Sequence, residues 1–156
     1  MGRGLGYKTR NPKGIKYWKA IRKKEHDQAV NKIAENPEIL GIDKETLLYK
    51  PIIFPELRKK GQETGDLIFV FSPRIEKWEI LVIEVQIGTR RPAGDAFFKL
   101  KLTRNYLMNH WRKLFRSIEL DLPRNYTLWI KTAFVSYAGK APWDQPFVAE
   151  ERIRIF

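Results

Sequence analysis

Asp66 and Glu84 are carboxylates in places where an apolar sheet should exclude them. Asp66 stands at the head of LIFVF, and Glu84 is embedded in ILVIEV. A carboxylate in such surroundings is costly unless it is paired, hydrogen-bonded or bound to a cation. Gln86 lies two residues beyond Glu84 and so shares its face of a strand. If the two apolar runs pair as a hairpin, their outer ends meet, and Asp66 and Glu84 lie side by side, directly or on a diagonal. Two carboxylates so placed repel each other unless a cation sits between them, and hard oxygen ligands suit Mg²⁺ or Mn²⁺. Taken singly, Asp66 also suits a turn. Glu84 also suits a buried ion pair, for instance with Arg104 or Lys131.

The elements that must position these groups follow from the pattern. Asp66–Phe71 and Trp78–Gln86 read as strands of an antiparallel hairpin joined by SPRIEK. The nearly continuous apolarity of Ile80–Val85 predicts a central strand covered on both faces. Upstream, a helix is predicted from near Lys16 to Glu35, stopping before Pro37. Trp18, Ile21, Ala29 and Ile33 mark its buried stripe, and Glu25 falls on that stripe. Thr46–Phe54 reads as a strand in which Pro51 marks a bulge or an edge position.

Downstream, GTRRPAG (88–94) is a loop, and Asp95 can cap a helix running to about Ile118. Phe97, Leu100, Leu107, Trp111, Leu114 and Ile118 form its apolar stripe. Lys101, Asn105, Asn109, Arg112 and Arg116 form a polar one, and Lys99, Thr103, Tyr106 and His110 line a face that can look into a site. Tyr126–Ser136 and Phe147–Phe156 read as strands. The expected fold is α/β or α+β, a central mixed sheet of about five strands flanked by helices. Residues 1–14 read as a flexible basic arm and 15–156 as one domain.

Composition narrows the function. With no cysteine there is no disulfide, thiolate metal site or cysteine nucleophile, as suits an intracellular, cytoplasmic protein. Abundant Lys, Arg, Glu and Ile also suit a thermophile. No apolar run reaches the length of a membrane span, and the basic N-terminus lacks the apolar region of a secretory signal. The net charge of +12 attracts polyanions, chiefly nucleic acid. It is concentrated: residues 1–24 carry nine Lys/Arg and no acid, and residues 86–117 carry eight against Asp95 alone. Arg90, Arg91, Lys99, Lys101, Arg112 and Arg116 are the candidate phosphate contacts, and Trp143 is the candidate exposed aromatic. His26 and His110, the two histidines, lack the spacing of a zinc site, and no P-loop, dinucleotide fingerprint or serine-hydrolase elbow occurs.

Asp66 followed by Glu84-Val85-Gln86 resembles the core of the PD-(D/E)xK nuclease superfamily. There a helix bearing a Glu precedes a β-meander, one strand supplies an Asp, the next supplies (D/E)xK, and a basic helix follows. The order of residues 16–118 is similar throughout. The resemblance implies a restriction-endonuclease-like fold and Mg²⁺- or Mn²⁺-dependent hydrolysis of phosphodiesters, with double-stranded DNA as the expected partner and a homodimer as a possible assembly. Asp66 and Glu84 would hold the metal, and Glu25 or Glu56 would complete the site. The chain departs from the pattern at Gly65, where Pro often stands, and at Gln86, where Lys is expected. Glutamine can orient water but brings no charge. Lys99 or Lys101 would then supply the missing cation. Two other readings compete: a nucleic-acid-binding protein on this fold without catalysis, and a basic scaffold whose strand carboxylates are only salt-bridged.

Overall fold

The structure is a computed structural model that describes residues 12–55, 65–87, 94–137 and 147–154; of these, 12–19, 94–95 and 147–154 are described by their backbone alone. In chain order the elements are helix α1 (Pro12–Glu35), strands β1 (Ile52–Ile53), β2 (Leu67–Arg74) and β3 (Lys77–Ile87), helix α2 (Gly94–Ser117), and strands β4 (Thr127–Tyr137) and β5 (Phe147–Arg154). Two short 3₁₀ turns, Pro37–Leu40 and Lys44–Thr46, lie between α1 and β1. The fold is α+β with a mixed sheet. Its body is the four long strands β2 to β5, and the two-residue β1 pairs along the outer side of β2, giving the order β1-β2-β3-β4-β5. β3 runs parallel to β4, and the other pairings are antiparallel. Parallel neighbours need a crossover, and α2 supplies it.

Strand alternation divides the core into two layers. Leu67, Phe69, Leu81, Ile83, Val85, Ala133 and Val135 point to one face, where Ala29, Val30, Ile33 and Ala34 of α1 cover them. Ile68, Val70, Ile80, Val82, Leu128, Ile130 and Phe134 point to the other, where Leu100, Leu107, Trp111, Leu114 and Phe115 of α2 cover them. β3 is central, with Lys77–Val85 buried throughout. A strand covered on both faces has no solvent side for polar alternation, which is why it reads as one apolar run. Among the described residues no helix is long and apolar enough to cross a membrane.

Several elements differ from the sequence expectations. α1 begins at Pro12 rather than near Lys16; proline suits a first helical turn, where its missing N–H is not needed. Residues 12–14 of the expected arm are therefore helical, and the rest of it lies outside the described residues. Of Thr46–Phe54 only Ile52–Ile53 is strand, apart from one bridge between Leu47 and Phe71. The Asp43 carboxylate caps the Lys44–Thr46 turn by accepting from Glu45 N–H at 3.0 Å, and Pro51 has no N–H to give a ladder. SPRIEK is not a six-residue loop: β2 and β3 continue through it to a turn at Ile75–Glu76, with a register shift between Phe71 and Arg74. Phe97, expected in the buried stripe of α2, is 54 % exposed. The side chain of Trp18, and the whole of Trp143, lie outside what is described.

Candidate functional site

The register of the hairpin sets the geometry. Leu67 pairs with Ile83, and the Asp66 N–H donates to the Ile83 carbonyl at 2.8 Å, so the next position outward puts Asp66 opposite Glu84. Both are buried, at 9 % and 3 % exposure. Gly65 makes this approach possible. A Cβ there would lie 2.7 Å from Val82 Cγ1 and 3.2 Å from the Ile83 carbonyl oxygen. The Gly65 N–H donates to Thr103 Oγ1 at 3.0 Å, and that hydroxyl donates to the Lys99 carbonyl at 2.9 Å. α2 thus fixes the strand entry that aims Asp66. The same helix turn places Lys99 Nζ 3.9 Å from Glu84 Oε1.

From the other side α1 contributes His26. Its Nε2 lies 3.1 Å from Asp66 Oδ2 and 3.1 Å from the Val85 carbonyl oxygen. Both neighbours are acceptors, so Nε2 carries a proton and donates. Nδ1 faces Asp27 Oδ1 at 3.3 Å. Asp66 Oδ2 also accepts the Val85 N–H at 2.8 Å. Burial pushes the Asp66 carboxyl up, but hydrogen bonds with His26, Glu84 and the Val85 N–H outweigh it and hold the group below its ordinary value. The hydrogen bond to Asp66 raises the His26 value against the opposing effect of burial, with the charge of Asp66 and contact with Asp27 adding to it.

His26, Asp66 and Glu84 each bring one donor atom within 4.8 Å of the others. An octahedral Mg²⁺, with ligands at about 2.0–2.1 Å, separates its donors by about 3–4 Å, so a two-carboxylate, one-imidazole set held within 4.8 Å would need a modest inward shift to close on a small divalent cation. The carboxylates are ready ligands. His26 would ligate only by surrendering the Nε2 proton, and in the arrangement seen it positions Asp66. The three line a pocket of about 510 Å³ at the end of the sheet, with Arg22, Glu25, Val85, Gln86, Ile87 and Lys99 completing the wall.

The residues named from the sequence separate as follows. Asp66, Glu84, Gln86, Glu25 and Lys99 come together in this pocket. Lys101 is exposed, and Lys99 is the α2 lysine that lines the pocket and faces Glu84. Arg112 and Arg116 are exposed farther along α2, with the Arg112 guanidinium 4.4 Å from the centre of the Trp111 ring. Tyr106 and His110 stack on each other at 4.5 Å beside a local departure from helical geometry at His110. Glu56, Arg90 and Arg91 lie outside the described residues, and so does the side chain of Asp95. His26 was not among the sequence candidates. Nothing local marks it, since its partner is 40 residues away; the one available signal was its position next to Glu25.

Compared with protein-family models, curated proteins and solved structures, the chain matches none.

Proposed function

We propose that the protein is a metal-dependent nuclease, hydrolysing phosphodiester bonds of DNA on a restriction-endonuclease-like core. The observation that carries this reading is the Asp66–Glu84 pair: two buried carboxylates directly opposed at the rim of the sheet, in a pocket that also holds Lys99 and Arg22. Two acids side by side are unfavourable without a cation, and a cation beside basic side chains suits an anionic phosphodiester. The net charge of +12 supports a polyanionic partner.

In this reading Asp66 and Glu84 hold Mg²⁺ or Mn²⁺. The bound metal supplies a water of lowered pKa and polarises a phosphoryl oxygen. His26 keeps Asp66 oriented through its Nε2–H. Gln86, on the Glu84 face of β3, orients the attacking water through its amide. Lys99 stands where charge develops on the phosphate and offsets it, the task Gln86 cannot perform. Glu25, half-buried, is a further acid on the pocket wall. Double-stranded DNA as partner and a homodimer as assembly belong to the same proposal.

Gln86 also favours a second reading, a nucleic-acid-binding protein on this fold without catalysis. One assay separates the two. Linear, circular and single-stranded DNA are incubated with Mg²⁺, Mn²⁺ or EDTA, with Asp66→Ala and Glu84→Ala alongside. The nuclease reading expects metal-dependent cleavage that both substitutions abolish; cleavage that survives them overturns the site. Salt-dependent binding without cleavage under every metal condition establishes the second reading.

A further inference from the structure

The large apolar side chains left exposed among the described residues are not scattered. They are Ile53, Phe54, Ile75, Phe97, Phe98 and Met108. Ile75 belongs to the hairpin turn and Met108 to the middle of α2. The other four form two sequence pairs, Ile53–Phe54 at the end of β1 and Phe97–Phe98 near the start of α2. Phe54 follows β1, its N–H donates to the Asp66 carbonyl at 2.8 Å, and its ring centre is 6.2 Å from that of His26. Phe97 and Phe98 precede Lys99 on α2. The Phe97 ring lies 6.5 Å from that of Phe134, which is the register partner of Glu84 on β4. Phe54 thus approaches His26 and Phe97 approaches the neighbour of Glu84, while Phe98 directly precedes Lys99; the three are 44 %, 54 % and 59 % exposed.

Phe54 is held in a backbone conformation that a bulky side chain disfavours. Its φ is +49°, in the left-handed region where glycine is the ordinary occupant. The ring is not buried in return. A strained, exposed aromatic next to reactive groups points to a role outside folding. Cations stand among the pocket's acids Glu25, Asp66 and Glu84. Arg22 and Lys99 line the pocket, and exposed Lys101 lies three and four residues along α2 from Phe98 and Phe97, on their side of the helix.

Aromatic platforms beside cations are how proteins hold unpaired nucleobases: the rings stack on base faces while the cations meet the phosphates. In a continuous duplex those faces are hidden within the stack. We propose that the DNA engaged by this site, though double-stranded elsewhere, is unpaired where it crosses the pocket, with bases stacking on Phe54 and on Phe97 and Phe98. This rests on the nuclease reading for the location of the scissile bond, but not for the binding itself.

The test is binding in EDTA, where cleavage cannot intrude. Fluorescence anisotropy with a labelled single-stranded oligonucleotide and with a blunt duplex of the same length is measured for the wild type, Phe54→Gly and Phe97→Ala/Phe98→Ala. Each loss of stacking is expected to weaken single-strand binding roughly 5- to 150-fold, while duplex binding stays within about twofold. Phe54→Gly is expected to leave the melting temperature unchanged or higher, because glycine accepts φ of +49°, so loss of binding cannot be ascribed to misfolding. Phe54→Trp keeps the affinity. Equal weakening on both probes, no weakening on either, or a wild-type dimer in sedimentation that Phe97→Ala/Phe98→Ala dissociates would each overturn the proposal. Failure of the nuclease reading appears separately, as absence of cleavage when Mg²⁺ or Mn²⁺ is restored.

Discussion

Replacing Glu84 by glutamine should make the metal-free protein more stable. At an effective dielectric of about 20, the Lys99–Glu84 contact at 3.9 Å is worth about 4 kcal/mol of attraction before screening. Lys99 is 24 % exposed, so solvent reduces that figure. Against it stands the repulsion of Asp66, whose oxygen lies within 4.8 Å and contributes at least about 3.5 kcal/mol on the same scale. The two nearly cancel, so together they offset little of the desolvation of a carboxylate that is 3 % exposed, a cost of several kcal/mol. Glutamine keeps the shape and donates to Asp66 the hydrogen bond that Glu84 can give only when protonated. The expected gain is about 1–2 kcal/mol, or a rise in melting temperature of roughly 2–8 °C for a chain of this size. Differential scanning calorimetry in EDTA measures it. With Mn²⁺ at about a hundred times its dissociation constant, the wild type should gain about 2.7 kcal/mol and the variant almost none. A fall of more than about 1 kcal/mol in EDTA, with no metal response in the wild type, would refute the reasoning and make Glu84 a structural partner of Lys99.

Two further outcomes follow from the same geometry. The Asp66 value is lowered, so its contribution to stability is present above the ordinary carboxylate value near 4 and is lost as pH falls through the folded value below it. The His26 value is raised, so its contribution is present below about 6.5 and is lost as pH rises through the folded value above it. The metal-free protein should therefore be most stable between about pH 4 and 6.5 as far as this pair is concerned, and His26→Gln should flatten the alkaline side of a melting-temperature profile. Gly65→Ala should cost about 1–3 kcal/mol, read by urea denaturation, because the backbone carbonyl of Ile83 cannot move aside as the Val82 side chain partly can; a neutral result would mean that the strand entry has more room than the contacts indicate.

The hairpin was legible in the sequence because both of its strands are long and apolar, but its register was left open between direct and diagonal pairing, because the turn at Ile75–Glu76 and the shift between Phe71 and Arg74 have no sequence signal. Glu84 was visible as a carboxylate in ILVIEV because that run is otherwise apolar. The buried stripe of α2 was readable through Leu100, Leu107, Trp111 and Leu114, but not at Phe97, which stays 54 % exposed while its neighbour Ala96 takes the buried position. Thr46–Phe54 misled because β-branched and aromatic content indicates a pleated surface, whereas Asp43 and Pro51 decide the local backbone. His26 was invisible for a different reason. Its role depends on where α1 crosses the end of the sheet, a packing relation across 40 residues that no spacing rule encodes. The same relation brought Lys99 rather than Lys101 to Glu84: the two are neighbours on one helix, and only its rotation against β3 distinguishes them.

The central claim is that Asp66 and Glu84 hold a divalent cation. Crystals grown with Mn²⁺, with data collected at the manganese absorption edge, address it directly. One anomalous peak is expected at ligand distance from both carboxylates, beside His26 and Lys99, and it should disappear in Glu84→Gln. No peak there at millimolar Mn²⁺, with Lys99 still against Glu84 and His26 still against Asp66, would contradict it.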